Sequence, residues 1–154
     1  MPERPVAPPD FDLEAFLPYL LNQAAEGSSL AFRVHYRDKY GMLRTEWRVL
    51  FHLWRYGEMT AHEICLRSGL HKTKVSRAVR ALEDKRMLQR QEMAHDRRNE
   101  VLSLTKAGKS ASEDLSRAAE RYNDQLLAQF TPEERRVLHK CLLQIGRLPA
   151  RSQD

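Results

Sequence analysis

Thr73, Ser76, Arg77 and Arg80 stand at positions 0, 3, 4 and 7 of one helical repeat, with Lys74 beside them. Arginine can hold a guanine edge through two parallel hydrogen bonds, and serine, threonine and lysine can reach base edges or phosphates. Val75, Ala78, Val79 and Leu82 share a different face, so such a helix would bury one side and offer the other. His71, Lys72 and Lys74 crowd its first turn, where backbone N–H groups favour phosphate. A second cluster follows in His95-Asp96-Arg97-Arg98-Asn99. There Asp96 can orient one arginine for a narrow minor groove, whose negative potential draws arginine without base-specific bonds.

The charge is arranged to match. The 154 residues carry a formal net charge of +5, and segments 1–59, 60–109 and 110–154 carry −1, +6 and 0. A basic middle third between neutral flanks is the electrostatic footprint of a polyanion-binding module. No apolar run reaches the roughly 18 residues that cross a bilayer, so no contact with a membrane is expected. Met1-Pro2-Glu3-Arg4 has no apolar stretch behind it, so no secretory signal is expected. Two widely separated cysteines, Cys65 and Cys141, make no disulfide framework, and a reducing cytoplasm is the default expectation. There is no Gly-rich phosphate loop, HExxH or GxSxG, so no enzyme is expected and no cofactor is called for.

The elements that must position these residues are mainly α with a small β-hairpin wing. Pro2, Pro5, Pro8 and Pro9 make residues 1–10 a flexible arm, leaving 11–154 as a single domain. A helix is expected from Asp12 to about Tyr40, weakened at Pro18 and at Gly27-Ser28-Ser29, and stopped by Gly41. A second runs from Thr45 as N-cap to Tyr56, ended by Gly57. Thr60-x-x-Glu63 is a capping box for a short third helix, Ser68-Gly69-Leu70 is a tight turn, and a fourth helix spans about His71–Lys85. Residues 88–92 and 100–104 read as strands, with Met93–Asn99 as a long, mobile tip. Thr105 can cap a helix to about Phe130, and Thr131-Pro132-Glu133-Glu134 opens a last one to about Gly146.

Helix, glycine turn, helix and hairpin make a winged helix-turn-helix lobe over 44–105. Flanking helical stretches over 11–41 and 106–148 carry large apolar stripes with little inside one chain to cover them. They are therefore expected to pair two copies, which would read a pseudo-palindrome with half-sites roughly 10 bp apart.

Leu43-Arg44-Thr45-Glu46-Trp47, Thr60-Ala61-x-Glu63-Ile64, Ser68-Gly69-Leu70, Lys74-Val75-Ser76-Arg77-Ala78-Val79, Asp96-Arg97-Arg98 and Leu104-Thr105-x-x-Gly108 resemble, in order and spacing, the MarR family of bacterial transcription regulators. The resemblance spans roughly 17–148. It implies a homodimer joined by its terminal helices, binding double-stranded DNA at an operator, usually as a repressor. It also implies release by a ligand or by oxidation, and wing roles for Asp96 and Arg98.

In that family small anionic or aromatic ligands often bind between the dimer helices and the winged lobe. Arg33, His35, Tyr36, Tyr40 and Trp47 mix cations with aromatic rings where such a pocket would lie. Aromatic acids and acyl-coenzyme A thioesters are the candidate effectors. The alternative is control by thiol oxidation or by a metal. No cysteine precedes Cys65, and Cys65 and Cys141 are expected to be buried and inert. His62 and Cys65, at i and i+3, are the only local metal hint, and no metal site is expected from two ligands.

Overall fold

The computed structural model describes residues 10–147, with side chains throughout except at 96–99. Residues 1–9 of the expected arm and the last residues, 148–154, lie outside the described residues. Six α-helices and three strands follow one another as α1 (Leu17–Tyr40), α2 (Arg44–Tyr56), β1 (Met59–Thr60), α3 (Ala61–Ser68), α4 (Lys72–Asp84), β2 (Leu88–Met93), β3 (Asp96–Leu104), α5 (Lys106–Leu127) and α6 (Pro132–Gly146). The chain divides into two compact units, one ending at Glu113 and the other beginning at Asp114, within α5.

The first unit is built on a core from α2, α3, α4 and the sheet: Val49, Leu50, Leu53, Ile64, Val75, Val79, Leu82, Leu88 and Leu102 are all buried. The sheet order is β1-β3-β2, wholly antiparallel, with Leu88 opposite Leu104 and Met59 opposite Leu102. The short β1 is absent from the sequence reading. Two residues carry no period, and Met59 and Thr60 become a strand only because β3 lies alongside.

Several boundaries move, each for a local reason. Asp12 does not start the long helix. Its carboxylate accepts from the N–H groups of Glu14 and Ala15, capping a single 3-10 turn over Leu13–Ala15. Helix α1 then begins with Pro18 in its first turn, where the fixed φ and missing N–H cost nothing. Gly27-Ser28-Ser29 does not break it, and Ser28 Oγ donates to the Ala25 carbonyl within the helix.

Thr45 is not the N-cap of α2. Leu43 holds that position without a side-chain cap, because Met42 is buried and the Arg44 guanidinium pairs with Glu26 of α1 at 3.2 Å. Tertiary contacts therefore set the entry of α2, overriding the capping preference of threonine.

The wing tip is the largest correction. Met93–Asn99 is not a long loop: β3 starts at Asp96, and only Ala94 and His95 turn the chain. An irregularity between Glu92 and Met93 shifts the register so that Met93 faces Asp96 and pairing continues to the tip. Gln89–Met93 of β2 are all exposed, so the ladder satisfies the backbone there without any apolar alternation to announce it.

Helix α5 ends at Leu127, three residues before the expected Phe130, in a turn where Phe130 N–H donates to the Leu127 carbonyl. Thr131 and Glu134 then form the expected capping box of α6. In the second unit Val137, Leu138, Leu142 and Leu143 of α6 are exposed.

Candidate nucleic-acid interface

The helix-turn-helix is formed by α3, a turn at Gly69 and α4. Gly69 adopts the left-handed conformation (φ 66°) that lets its N–H reach the Cys65 carbonyl and close α3. Ser68 Oγ accepts from Leu70 N–H across the same turn. Arg48 of α2 donates to the Ser68 carbonyl at 2.9 Å, so the turn is tied to the helix beneath it. The Thr60–Glu63 box starts α3, and hydrogen bonds from the Thr60 N–H and hydroxyl hold the Glu63 carboxyl below its usual range.

Helix α4 is capped by His71, whose Nδ1 accepts from Thr73 N–H. Its faces divide as expected from spacing. Val75, Ala78, Val79 and Leu82 are buried, while Thr73, Lys74, Ser76, Arg77 and Arg80 are all exposed. The five polar side chains therefore lie together on the solvent side of a helix whose other side is sealed into the core.

The wing is locked to this helix. Arg90 of β2 donates to Glu83 of α4 at 3.1 Å and to Glu100 of β3 at 2.9 Å. The bond to Glu100 is the larger cause of a raised Arg90 pKa, so the cation is secured between the two carboxylates. Arg90 and Arg48 escaped the sequence reading. Arg90 sits near Glu100 only through the hairpin register, and Arg48 reaches a backbone carbonyl that no side-chain pattern marks. Asp96, Arg97 and Arg98 lie in the first residues of β3 beside the tip, and their side chains are outside the described residues.

The five residues proposed around an effector separate into groups. Arg33 and Tyr36 line a cavity of about 350 Å³ between α1 and α2, together with Arg37, Arg44 and Glu26. His35 and Trp47 pack on Phe32, with ring centroids 5.0 and 5.6 Å away, and the buried Tyr36 ring joins this cluster by stacking on Trp47. Tyr40 lies under Lys39 Nζ, 5.5 Å from its ring centre.

The cysteines are not both buried. Cys141 is exposed, because the α6 stripe that carries it faces outward, and Cys65 is half-buried. His62 and Cys65 do share a cavity wall, with Lys72, Ser76 and Arg90. Among the described residues no third histidine, cysteine or carboxylate joins them as a cation site. No described helix is long and apolar enough to cross a membrane.

An exposed basic helix, a glycine turn and a hairpin braced to that helix define a winged helix-turn-helix regulator that binds DNA. A profile of the MarR family matches residues 40–99, from the end of α1 to the wing. Over these residues the chain is similar to the MarR family of transcription regulators.

Among curated proteins, the uncharacterized HTH-type transcriptional regulator YwaE of Bacillus subtilis is 25% identical over 126 residues, covering 82% of this chain and 74% of YwaE. Among solved structures, a MarR/EmrR family transcriptional regulator from Acinetobacter sp. ADP1 is 27% identical with a TM-score of 0.79, over 88% of this chain and 96% of that one. Bordetella bronchiseptica BpsR, whose DNA binding is regulated by 6-hydroxynicotinic acid, shares the fold at a TM-score of 0.82 and 18% identity, over 90% of this chain and 99% of BpsR.

Proposed function

We propose that the protein is a homodimeric repressor that binds a pseudo-palindromic operator and leaves it when a small anionic or aromatic molecule binds. The observation that carries this reading is the division of α4: four apolar side chains buried, and Thr73, Lys74, Ser76, Arg77 and Arg80 exposed together. In the bound state α4 enters the major groove. Arg77 and Arg80 contact base edges or nearby phosphates, and Thr73, Lys74 and Ser76 support them. Arg97 or Arg98, oriented by Asp96, enters the adjacent minor groove from the wing.

The dimer closes over the apolar residues left open on the terminal helices, 11–41 and 106–148. Leu17, Leu20, Val137, Leu138 and Leu142 are exposed in the single chain, and a second copy is the partner that two-fold DNA sites call for. For the effector, the cavity beside Arg33, Tyr36 and Arg37 offers guanidinium groups to a carboxylate. Regulation of BpsR by 6-hydroxynicotinic acid, an aromatic acid, favours that class. Acyl-coenzyme A thioesters remain the second class to be screened.

The test is binding to DNA upstream of the protein's own gene, and to sites selected from random sequence, against scrambled DNA across a salt series. Palindrome-specific binding with a steep loss as salt rises is the expected result. Weak, equal binding to every sequence would overturn the reading. Repeating the titration with aromatic acids and acyl-coenzyme A thioesters identifies the releasing class, and transcription from the bound promoter gives the sign.

A further inference from the structure

The cavity that His62 and Cys65 share has walls from α3, from α4 and from strand β2 of the wing, and holds about 300 Å³. Its lining has two characters. Ala61 and Cys65 of α3 and the buried Val79 of α4 make an apolar part. His62, Lys72 and Ser76, with Arg90 of β2, supply hydrogen-bond donors, and no carboxylate lines it among the described residues. Lys72 is held in no salt bridge among those residues. Arg90 gives Nε to Glu83 and Nη1 to Glu100, and its Nη2 makes no hydrogen bond among the described residues. Glu83 and Glu100 already balance the Arg90 charge, so Lys72 supplies net positive charge and Arg90 a directed donor.

A helix in a major groove and a hairpin tip in the adjacent minor groove stand on opposite sides of one sugar–phosphate strand. That strand is what separates the two grooves, so it would cross the cleft between α4 and β2. Its two parts match the two linings. A phosphate would meet Lys72, the Ser76 hydroxyl and Arg90 Nη2. The C2′ methylene of a deoxyribose would meet Ala61, Cys65 and Val79. A ribose would bring a 2′-hydroxyl there instead. The methyl groups offer it no partner and the thiol only a weak one, so its desolvation would go uncompensated.

We propose that this cleft seats one deoxyribose–phosphate unit of the strand running between the two grooves, its phosphate on Lys72, Ser76 and Arg90 and its C2′ methylene on Ala61, Cys65 and Val79. The proposal rests on the operator-binding reading above. It adds a demand for deoxyribose at one nucleotide of each half-site.

The experiment uses the full-length protein and an operator duplex selected from random sequence, with binding read by fluorescence anisotropy. Each phosphate is replaced in turn by a neutral methylphosphonate. One position per half-site, between the bases read by α4 and the minor groove beside them, should lose about tenfold in affinity. In Lys72→Met the same replacement should cost nothing further, while other contacted phosphates keep their effect. A single ribonucleotide beside that phosphate should weaken binding by about fivefold, and a 2′-fluoro nucleotide of the same pucker by less. Cys65→Ser adds a hydroxyl at the sugar and should recover part of the ribonucleotide loss. That rescue separates a seat for the sugar from a merely structural role. In a Cys141→Ser background, the duplex should slow alkylation of Cys65 by N-ethylmaleimide, and inorganic phosphate alone should not.

Protection of Cys65 by inorganic phosphate alone would assign the cleft to a free anion and overturn the proposal. Methylphosphonate effects independent of Lys72, or a ribonucleotide penalty equal along the whole strand, would overturn it while leaving operator binding intact. Binding without sequence preference would overturn both readings.

Discussion

Lys85 Nζ lies 3.1 Å from Oε2 of Glu46, and the two side chains are 29% and 6% exposed. The pair joins the C-cap residue of α4 to the first turn of α2, so the helix proposed to read DNA is held at its far end by a nearly buried carboxylate. Removing one partner leaves the other charge uncompensated, which costs more than the pair contributes. Lys85→Met should therefore lower stability by about 2 kcal/mol in urea denaturation, discounted from fully buried pairs because Lys85 is partly solvated. Adding Glu46→Gln to Lys85→Met should recover part of that loss. An additive double variant would show that the two residues are not coupled.

Arg77 and Lys74 should fail in different ways. Arg77→Ala should cost roughly 1–3 kcal/mol on the preferred operator and relax preference at one base position in each half-site. Lys74→Ala should weaken binding to all sequences alike and lower the salt slope by about one. Both side chains are exposed, so neither change should move the melting temperature. Fluorescence anisotropy on matched and mismatched duplexes measures the difference.

The capping box gives a pH signature. Hydrogen bonds from Thr60 hold the Glu63 pKa below its reference value of 4.5. Below that reference the unfolded chain binds more protons at this site than the folded one, so stability rises with pH there. The contribution is complete above about 4.5 and is lost as pH falls through the lower, folded value. Glu63→Gln should flatten this acid limb of the stability profile, and Thr60→Ala should cost about 1 kcal/mol at neutral pH. Denaturant titrations between pH 3 and 7, a range set roughly by that reference value, give the comparison.

Gly108 admits no side chain. A Cβ there would run into the Met87 carbonyl oxygen, which already accepts from Thr105 N–H, and would crowd the Leu104 side chain. Gly108→Ala should destabilise the protein by about 2–3 kcal/mol despite the better helix propensity of alanine. An unchanged or raised melting temperature would contradict this packing.

Leu142 is 47% exposed on α6, on the stripe proposed to meet a second copy. Leu142→Asp should raise the dimer dissociation constant by roughly 30-fold or more, as loss of a central apolar contact does. Sedimentation equilibrium of the variant against the parent protein reads this directly. Dimerisation of equal strength would place the interface elsewhere.

Signals closed within a few residues were legible before any fold was known. The capping boxes at Thr60–Glu63 and Thr131–Glu134, the turn at Gly69 and the two faces of α4 depend on hydrogen bonds and periodicity inside one segment. The family resemblance rests on the same local motifs. Where the chain misled, a distant partner had intervened. Arg44 pairing with Glu26 moved the start of α2 away from Thr45, and β3 pairing extended the wing through residues that read as loop.

Chemistry local to the chain was enough to show which helix is amphipathic and basic, that Thr60 and Thr131 open capping boxes, and that a hairpin follows. These follow from chemistry at separations of three, four and seven residues, which every chain conformation containing that helix must respect. It took the packing of distant elements to set Arg90 between the wing and α4, to bring Glu46 to Lys85, and to line a cavity with Arg33 and Arg37 while His35, Tyr36 and Trp47 cluster on Phe32. The same packing brings Lys72 and Ser76 to one cavity with Arg90. Each of these depends on side-chain direction and on strand register, which are settled when separate elements compete to bury the same apolar surface.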